Sequence, residues 1–202
     1  MQPKIRSFVK RSLLSLALSG ALLPGLALAD VKIGDTVEPP TLRDANDKPA
    51  VMPDLGKKVL LILYTDPSVA DITDKFADRV KALGLPEAHF RSVGVANMAD
   101  AKGLANWLIR MVVRGKIKKY NVTILTDPTL LLKNQWHLGD TDDKSVVLLV
   151  DGNRKIRYIH TNKKSKDELV GAEQDEAVKI VQDVVAEQSG GSYTPQPSAT
   201  RN

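Results

Sequence analysis

The sequence predicts an α/β domain in which helices cover both faces of a mixed central sheet. Residues 59–64 and 145–150 form two almost continuous apolar runs of strand length, which is typical of central strands that are buried on both sides. Between residues 66 and 83, apolar side chains recur at steps of three and four, the period of a helix that packs on a sheet. With a further apolar segment at residues 90–96, this order predicts a right-handed βαβ unit with parallel strands.

The N-terminus has the pattern of a secretory signal peptide. Four basic residues precede an apolar stretch over residues 13–28, and Ala27 and Ala29 mark a cleavage site before Asp30. The stretch is short and is interrupted by Pro24, so we expect removal of the segment, with an uncleaved anchor as the alternative. The sequence therefore predicts export to the periplasm and no transmembrane span after removal of the signal.

Composition divides the chain into three parts and gives no support for a nucleic-acid partner. We expect a signal peptide over residues 1–29, one folded domain over residues 30–187 and a disordered tail over residues 188–202, which are rich in serine, glycine and proline. The formal charge of +5 includes four basic residues of the signal with no acid, so the remainder carries about +1. A nearly neutral domain gives no argument for nucleic-acid binding.

The segments before and after the βαβ unit follow in order. Residues 30–51 are polar and turn-rich with short strand candidates at 31–33 and 41–43, which predicts a small edge hairpin or an irregular segment. After the strand at residues 122–125, Asp127 and Pro128 open a short helix. The clearest hairpin joins residues 145–150 to the alternating edge strand 155–160. A last helix over residues 166–187 closes the domain.

A second helix carries both apolar and basic residues. Its apolar stripe includes Leu104, Trp107, Leu108, Met111 and Val112. Its other side carries Arg110, Arg114, Lys116, Lys118 and Lys119. Basic residues suit the negative end of a helix dipole in water, and they also suit an anionic membrane surface or an acidic partner. The sequence favours a solvated helix end, with the membrane surface or the acidic partner as the alternative.

Together, these elements resemble the thioredoxin-like fold, in its peroxiredoxin-flavoured form, over about residues 31–187. More narrowly, the chain resembles the YtfJ family of exported, cysteine-free bacterial proteins of unknown function. Four motifs carry this resemblance: residues 56–59 (Gly-Lys-Lys-Val), 91–97 (Arg-Ser-Val-Gly-Val-Ala-Asn), 136–138 (Trp-His-Leu) and 145–152 (Ser-Val-Val-Leu-Leu-Val-Asp-Gly). The resemblance implies the fold and a periplasmic location, and it transfers no catalytic residue.

The sequence departs from active thioredoxin-like enzymes at both halves of their redox site. The chain has no cysteine, which removes thiol oxidoreductase and cysteine peroxidase chemistry because the thiolate is the nucleophile. In the turn where such enzymes hold that thiol, Ser68 has too high a pKa to replace it without a partnering base. Residues 141–144, before the second buried run, lack the proline that lines the substrate groove in such enzymes.

Two sets of polar residues are candidates for metal binding or catalysis. His89, His137 and His160 lie in three separate elements without a second ligand at metal-binding spacing, so we expect structural roles and no metal ligand. The acidic residues are Asp66, Asp71, Asp74, Asp140, Asp142 and Asp143. Such oxygens suit hard cations, but their spacing matches no calcium loop, so we expect a cap at Asp66 and solvated or turn positions for the others.

The candidate binding crevice lies beyond the carboxyl ends of the central strands, where loops diverge. We expect it to be lined by Tyr64, Thr65, Asp66, Ser68, Asp142, Asp143 and Lys144. Because Asp66 caps the helix, it disfavours an anion and favours a neutral, cationic or peptide ligand. The first hypothesis is a non-catalytic module, without a cofactor, that binds a periplasmic protein, peptide or small ligand. The alternative is a metal-dependent or hydrolytic enzyme that uses the acidic cluster and His137.

Overall fold

The computed structural model describes residues 30–101, 103, 105–163 and 168–195. The strands are β1 (Thr41–Arg43), β2 (Pro49–Val51), β3 (Val59–Thr65), β4 (Phe90–Asn97), β5 (Thr123–Asp127), β6 (Lys144–Val150) and β7 (Ile156–Lys163). The α-helices are α1 (Asp74–Ala82), α2 (Asn106–Tyr120), α3 (Leu131–Gln135) and α4 (Gly171–Gln188), and a 3-10 helix spans Pro67–Val69. The predicted α/β class is confirmed.

The seven strands form one mixed sheet in the order β2-β1-β5-β4-β3-β6-β7. Strands β3, β4 and β5 are parallel to one another, whereas β6 pairs antiparallel with β3 and β7 pairs antiparallel with β6. The parallel β3-α1-β4 unit is therefore confirmed, and β7 is an edge strand as predicted. The hairpin β1-β2 extends the other side of the sheet by antiparallel pairing with β5.

Alternate residues of β3 enter two separate hydrophobic cores. Leu60 and Ile62 belong to the first core, which α3 and the connection after it cover with Leu132 and Trp136. On the opposite face, Leu61 and its neighbours pack against α1 and α4. This two-sided burial explains why the segment is apolar at successive positions. It also fixes the carboxyl end of β3 rigidly between the two layers.

The first helix begins later than the sequence pattern indicates. Asp66 caps only the 3-10 turn, in which the N–H of Val69 donates to the carbonyl of Asp66 at 3.0 Å. Further three-residue turns follow, and α1 starts at Asp74. The prediction of one helix from Pro67 is wrong because short polar side chains in this segment favour local turns over a continuous helix.

Two other segments differ from the predicted elements. Residues 31–33 are not a strand, and an isolated bridge between Thr36 and Lys155 holds this part of the chain. The pairing of β6 with β7 shifts between Leu149 and Val150 of β6, which lie opposite Tyr158 and Ile156 of β7. The extra residue in β7 is a bulge that places Ile156 and Ile159 in the same core. Strict alternation along β7 is therefore wrong, because a bulge adds one residue to one strand.

Three predicted segments lie wholly or partly outside the described residues. The signal segment 1–29 is outside them, as are residues 164–167 at the expected start of the last helix and residues 196–202 of the expected tail. Within the described part of the expected tail, Tyr193 packs against the second core. Among the residues described, no helix has the length and hydropathy needed to cross a membrane.

Candidate functional site

The turn after β3 is tied to the loop before β6 by one buried carboxylate. Asp66 is 1% exposed, and its Oδ1 accepts the backbone N–H of Ser68 at 2.8 Å. Its Oδ2 accepts the backbone N–H of Asp143 at 3.0 Å, and its own N–H donates to the carbonyl of Lys144 at 3.0 Å. Asp66 is thus a cap and a bridge between two loops that are far apart in sequence.

Hydroxyl groups reinforce the same bridge on either side. The Oγ of Ser68 donates to Oδ1 of Asp143 at 2.7 Å. One residue before Asp66, the hydroxyls of Thr65 and Ser145 lie 2.7 Å apart, because these residues face each other in the antiparallel β3-β6 pair. The predicted crevice is therefore crossed by direct side-chain hydrogen bonds.

The seven predicted site residues differ in how accessible they are. Ser68 is exposed, and Asp142, Asp143 and Lys144 are half-buried. Thr65 is half-buried in its pair with Ser145. The structure brings these residues together around Asp66, which itself has almost no exposed surface. A ligand at this position would contact Ser68 and the loop 142–144 first.

Tyr64 lies apart from the other predicted residues. Its ring is fully buried in the first core, and its hydroxyl donates to Oδ2 of Asp127 at 3.2 Å. Burial and the neighbouring Asp127 carboxylate raise the pKa of the Tyr64 phenol well above its ordinary value. Tyr64 therefore supports the floor of the site from inside the protein.

The structure brings together only part of the acidic set. One carboxylate oxygen from each of Asp66, Asp142 and Asp143 lies within 4.8 Å of the others. By contrast, Asp71 pairs with Lys116 at 3.1 Å, and Asp140 pairs with Lys144, whose hydrogen bond lowers the pKa of Asp140. Among the described residues, Asp66, Asp142 and Asp143 form the one group of carboxylates that could hold a metal ion, and His137 is not part of it.

A buried polar centre around Asp127 was not predicted. Asp127 is fully buried, and besides the phenol of Tyr64 it accepts the N–H groups of Leu131 at 2.8 Å and Leu132 at 2.9 Å. A longer bond of 3.3 Å comes from the N–H of Thr129. The Asp-Pro pair indicated the cap on α3, but the phenol comes from a strand distant in sequence.

A second buried cluster lies between the ends of β4 and β6. Asn97 is fully buried and donates to Asp100 at 2.7 Å and to Thr141 at 3.2 Å. Thr141 donates in turn to the same Asp100 oxygen at 2.9 Å. Residue 141, which precedes the loop of the crevice, is therefore held by the end of β4 and by Asp100 just after it.

Two cavities of the described residues lie away from the predicted crevice. One cavity of about 350 Å³ lies beside the hairpin β1-β2 and is lined by Asp47, Asn106, Arg110 and Asp127, among others. Another of about 350 Å³ lies between the β6-β7 turn and α4. Neither is lined by Ser68 or by residues 142–144.

Arg110 lines the first of these cavities and corrects a prediction. The sequence places it on the solvated basic side of the second helix, but the residue is 8% exposed. Its guanidinium pairs with Asp47 at 2.7 Å and donates to the carbonyl of Asp44 at 3.3 Å. A planar group with five donors satisfies several acceptors at once, and this arrangement anchors α2 to the β1-β2 hairpin.

Comparison with known proteins gives the fold and no family. No protein-family model and no curated protein matches the sequence. Among solved structures, the chain is similar to a peroxiredoxin-like protein from Aquifex aeolicus, with a TM-score of 0.52 and 14% identity over 77% of this chain and 89% of that one. It is also similar to a putative protein disulfide isomerase from Bacteroides thetaiotaomicron, with a TM-score of 0.53 and 16% identity over 80% and 96% of the two chains.

A further similar structure has no assigned activity. It is an uncharacterized conserved protein from Geobacillus kaustophilus, with a TM-score of 0.56 and 14% identity over 85% of this chain and 88% of that one. Identities this low show common architecture and transfer no chemistry. The described part of the chain has a mixed sheet with helices on both faces, and the full sequence lacks cysteine. The protein therefore has a thioredoxin-like fold without the thiol of the redox enzymes that share it.

Proposed function

We propose that the protein is a non-catalytic binding or interaction module built on the thioredoxin-like fold. The observation that supports this most directly is the chemistry of the turn after β3. Redox proteins of this layout place a cysteine there, because a helix N-terminus lowers a thiol pKa. This chain places Asp66 there, and its carboxylate bonds Ser68 and the loop before β6. A structural bridge thus occupies the turn that carries the nucleophile in those redox proteins.

Redox turnover by a thiol is not part of this proposal. Because the sequence has no cysteine, we expect the purified protein neither to reduce insulin disulfides nor to consume peroxide with a dithiol donor. Robust turnover in either assay would show that another group supplies the chemistry.

The site of action that we propose is the periplasm. The pattern of basic, apolar and small residues before Asp30 supports export through a cleavable signal. The four motifs given above support membership of the YtfJ family of exported, cysteine-free proteins. This membership agrees with a chain that has no cysteine and a domain that relies on hydrophobic packing.

The crevice around Asp66 is the surface that we propose for the ligand. Its accessible part combines the hydroxyl of Ser68 with Asp142, Asp143 and Lys144. The amino group of Lys144 pairs with Asp140, which leaves a surface of mainly acceptor character. A neutral, cationic or peptide ligand fits this character better than an anion does.

A photoreactive side chain tests the crevice directly in the native envelope. We would place it at Ser68 or Lys144, with Asn153 in the exposed β6-β7 turn as the matched control position. The proposal expects a crosslinked species that forms at the first two positions, is absent at Asn153 and weakens with Asp142→Asn. Capture that is equal at all three positions, or insensitive to Asp142→Asn, would contradict it.

One observation favours a second candidate, a metal-dependent or hydrolytic enzyme. The carboxylate oxygens of Asp66, Asp142 and Asp143 lie within 4.8 Å of one another, and hard cations bind such groups. Calcium or zinc that binds only the native state would raise the melting temperature. This candidate expects a rise that Asp143→Asn removes and that Asp78→Asn, an exposed control in α1, preserves. No rise with either ion would favour the first proposal.

A further inference from the structure

The solvent side of α2 presents a combined apolar and basic surface. We define the outer face of α2 as Trp107, Met111, Val112, Arg114, Lys118 and Lys119, all of which are exposed. Trp107 is 67% exposed, Met111 49% and Val112 51%, which is unusual for large apolar side chains in one helix. With 3.6 residues per turn, the six positions fall within an arc of about 160°. They therefore form one contiguous face.

The opposite side of the same helix is fully used in packing. Ile109 and Val113 are buried against Ala45 and Met98, and Arg110 is anchored to the β1-β2 hairpin through Asp47. The helix is consequently held in one orientation by the sheet. Its outer face has no apolar partner among the described residues.

Charge separates the outer face from its flanks. Helix α2 carries five basic residues and no acidic one, and the two on the flanks, Arg110 and Lys116, pair with Asp47 and Asp71. Within the described residues, no ion pair joins a carboxylate to Arg114, Lys118 or Lys119. The ammonium of Lys119 lies 4.9 Å from the ring centroid of Tyr120. Arg114 also donates to the backbone carbonyl of Ala45 at 2.9 Å, which is a neutral acceptor and leaves the cation without a counter-charge. The charges of these three residues are therefore not balanced by a carboxylate of the described chain.

We propose that the outer face of α2 binds an anionic lipid surface. An indole ring settles at the headgroup level of a bilayer, and the apolar side chains of Met111 and Val112 enter the boundary below it. Arg114, Lys118 and Lys119 then meet lipid phosphates, which attract basic residues near the surface.

The shape of the face favours lipid over an acidic protein. A helix that the sheet holds in place presents a convex face, and a bulky exposed Trp107 on it requires a matching hollow in a rigid partner. A bilayer deforms around such a side chain without a preformed pocket. The proposal goes beyond the crevice of the proposed function. Because the outer face of α2 shares no residue with that crevice, either proposal can fail without the other.

Vesicle binding tests the proposal. The protein for this test is the form that is released by cells expressing the full chain. The chain has two tryptophans, of which Trp107 is 67% exposed and Trp136 is 2% exposed. Vesicles of phosphatidylcholine with phosphatidylglycerol should shift the emission to the blue, and brominated lipid should quench it. Phosphatidylcholine alone should do neither. In Trp107→Phe the remaining signal of Trp136 should not respond.

Charge variants separate specific contact from general attraction. Arg114→Glu with Lys118→Glu should weaken binding to anionic vesicles at least tenfold, because each basic residue near such a surface changes the binding constant by about fivefold. Lys155→Glu with Lys163→Glu changes the net charge equally at exposed positions on or beside β7, and it should change binding less than twofold. Since negative charge near a helix C-terminus weakens folding, Arg114→Gln with Lys118→Gln provides a milder second variant.

Four results would overturn the proposal. The first is equal binding to neutral and anionic vesicles, and the second is equal loss of binding in the β7 control variant. The third is binding of polyglutamate without binding to vesicles, which would assign the face to an acidic protein. Retained vesicle binding in the folded Arg114→Gln and Lys118→Gln variant would likewise refute a role for these cations.

Discussion

Removal of the Asp127 carboxylate tests whether the buried centre behind the crevice stabilises the fold. The carboxylate accepts the phenol of Tyr64 and the N–H of Leu132, and both residues are fully buried. Asp127→Ala leaves both donors without an acceptor, and each such loss costs about 1–3 kcal/mol. The N–H groups of Leu131 and Thr129 lie nearer the surface, where water replaces the lost bond. We therefore expect the free energy of unfolding to fall by about 4 kcal/mol.

The matched variant is Tyr64→Phe. It removes one donor and leaves Asp127 with its three backbone N–H partners, so the expected cost is only about 1 kcal/mol. In the double variant no phenol is left without an acceptor. Its loss of unfolding free energy should therefore be smaller than the sum of the losses in the two single variants. Urea denaturation followed by the emission of the buried Trp136 measures all three variants. Equal costs for Tyr64→Phe and Asp127→Ala, or strict additivity, would refute the reasoning.

Three further predictions follow from the pKa of Tyr64, the bridge at Asp66 and the N-terminal pattern. Because burial raises the pKa of Tyr64, the unfolded chain loses this proton first as the pH rises above about 10. Stability should therefore be unaffected by Tyr64 below pH 10 and fall above it, by about 1.4 kcal/mol per pH unit, and Tyr64→Phe should reduce this slope in denaturation series. Asp66→Ala should lower the free energy of unfolding by about 1–2 kcal/mol, because the cap and the bridge are lost. Lys144→Ala should lower it by less than about 0.5 kcal/mol. If thermal or urea unfolding gives the reverse order, the bridge has no structural role. Intact-mass analysis of the exported protein should find Asp30 at the N-terminus, and a retained Met1 would exclude the cleavable signal.

The structure also shows why the predicted and observed starts of α1 differ. The sequence pattern at Asp66 and Pro67 is a valid helix start, and it does begin a 3-10 turn. The second oxygen of Asp66, however, binds the N–H of Asp143, 77 residues further along the chain. A cap that serves a second loop is invisible to local pattern, because helix signals extend over only a few residues.

Arg110 gives the same lesson for α2. Basic residues at five positions of one helix indicate a solvated side, and the pattern fits Arg114, Lys118 and Lys119. Arg110 is buried because the β1-β2 hairpin supplies Asp47 and the carbonyl of Asp44 next to it. No periodicity within the helix encodes the position of that hairpin, which depends on the pairing of β1 with β5.

The sequence by itself determined the α/β class, the parallel βαβ unit and the absence of a thiol. These properties depend on the apolar period and on residue type, which operate within single segments. Only the tertiary structure decided that Tyr64 turns inward to Asp127, that Asp66 joins Ser68 to Asp143, and that the outer face of α2 remains uncovered. These contacts depend on which strands become neighbours in the sheet, and the two ends of each long-range hydrogen bond are placed by separate elements.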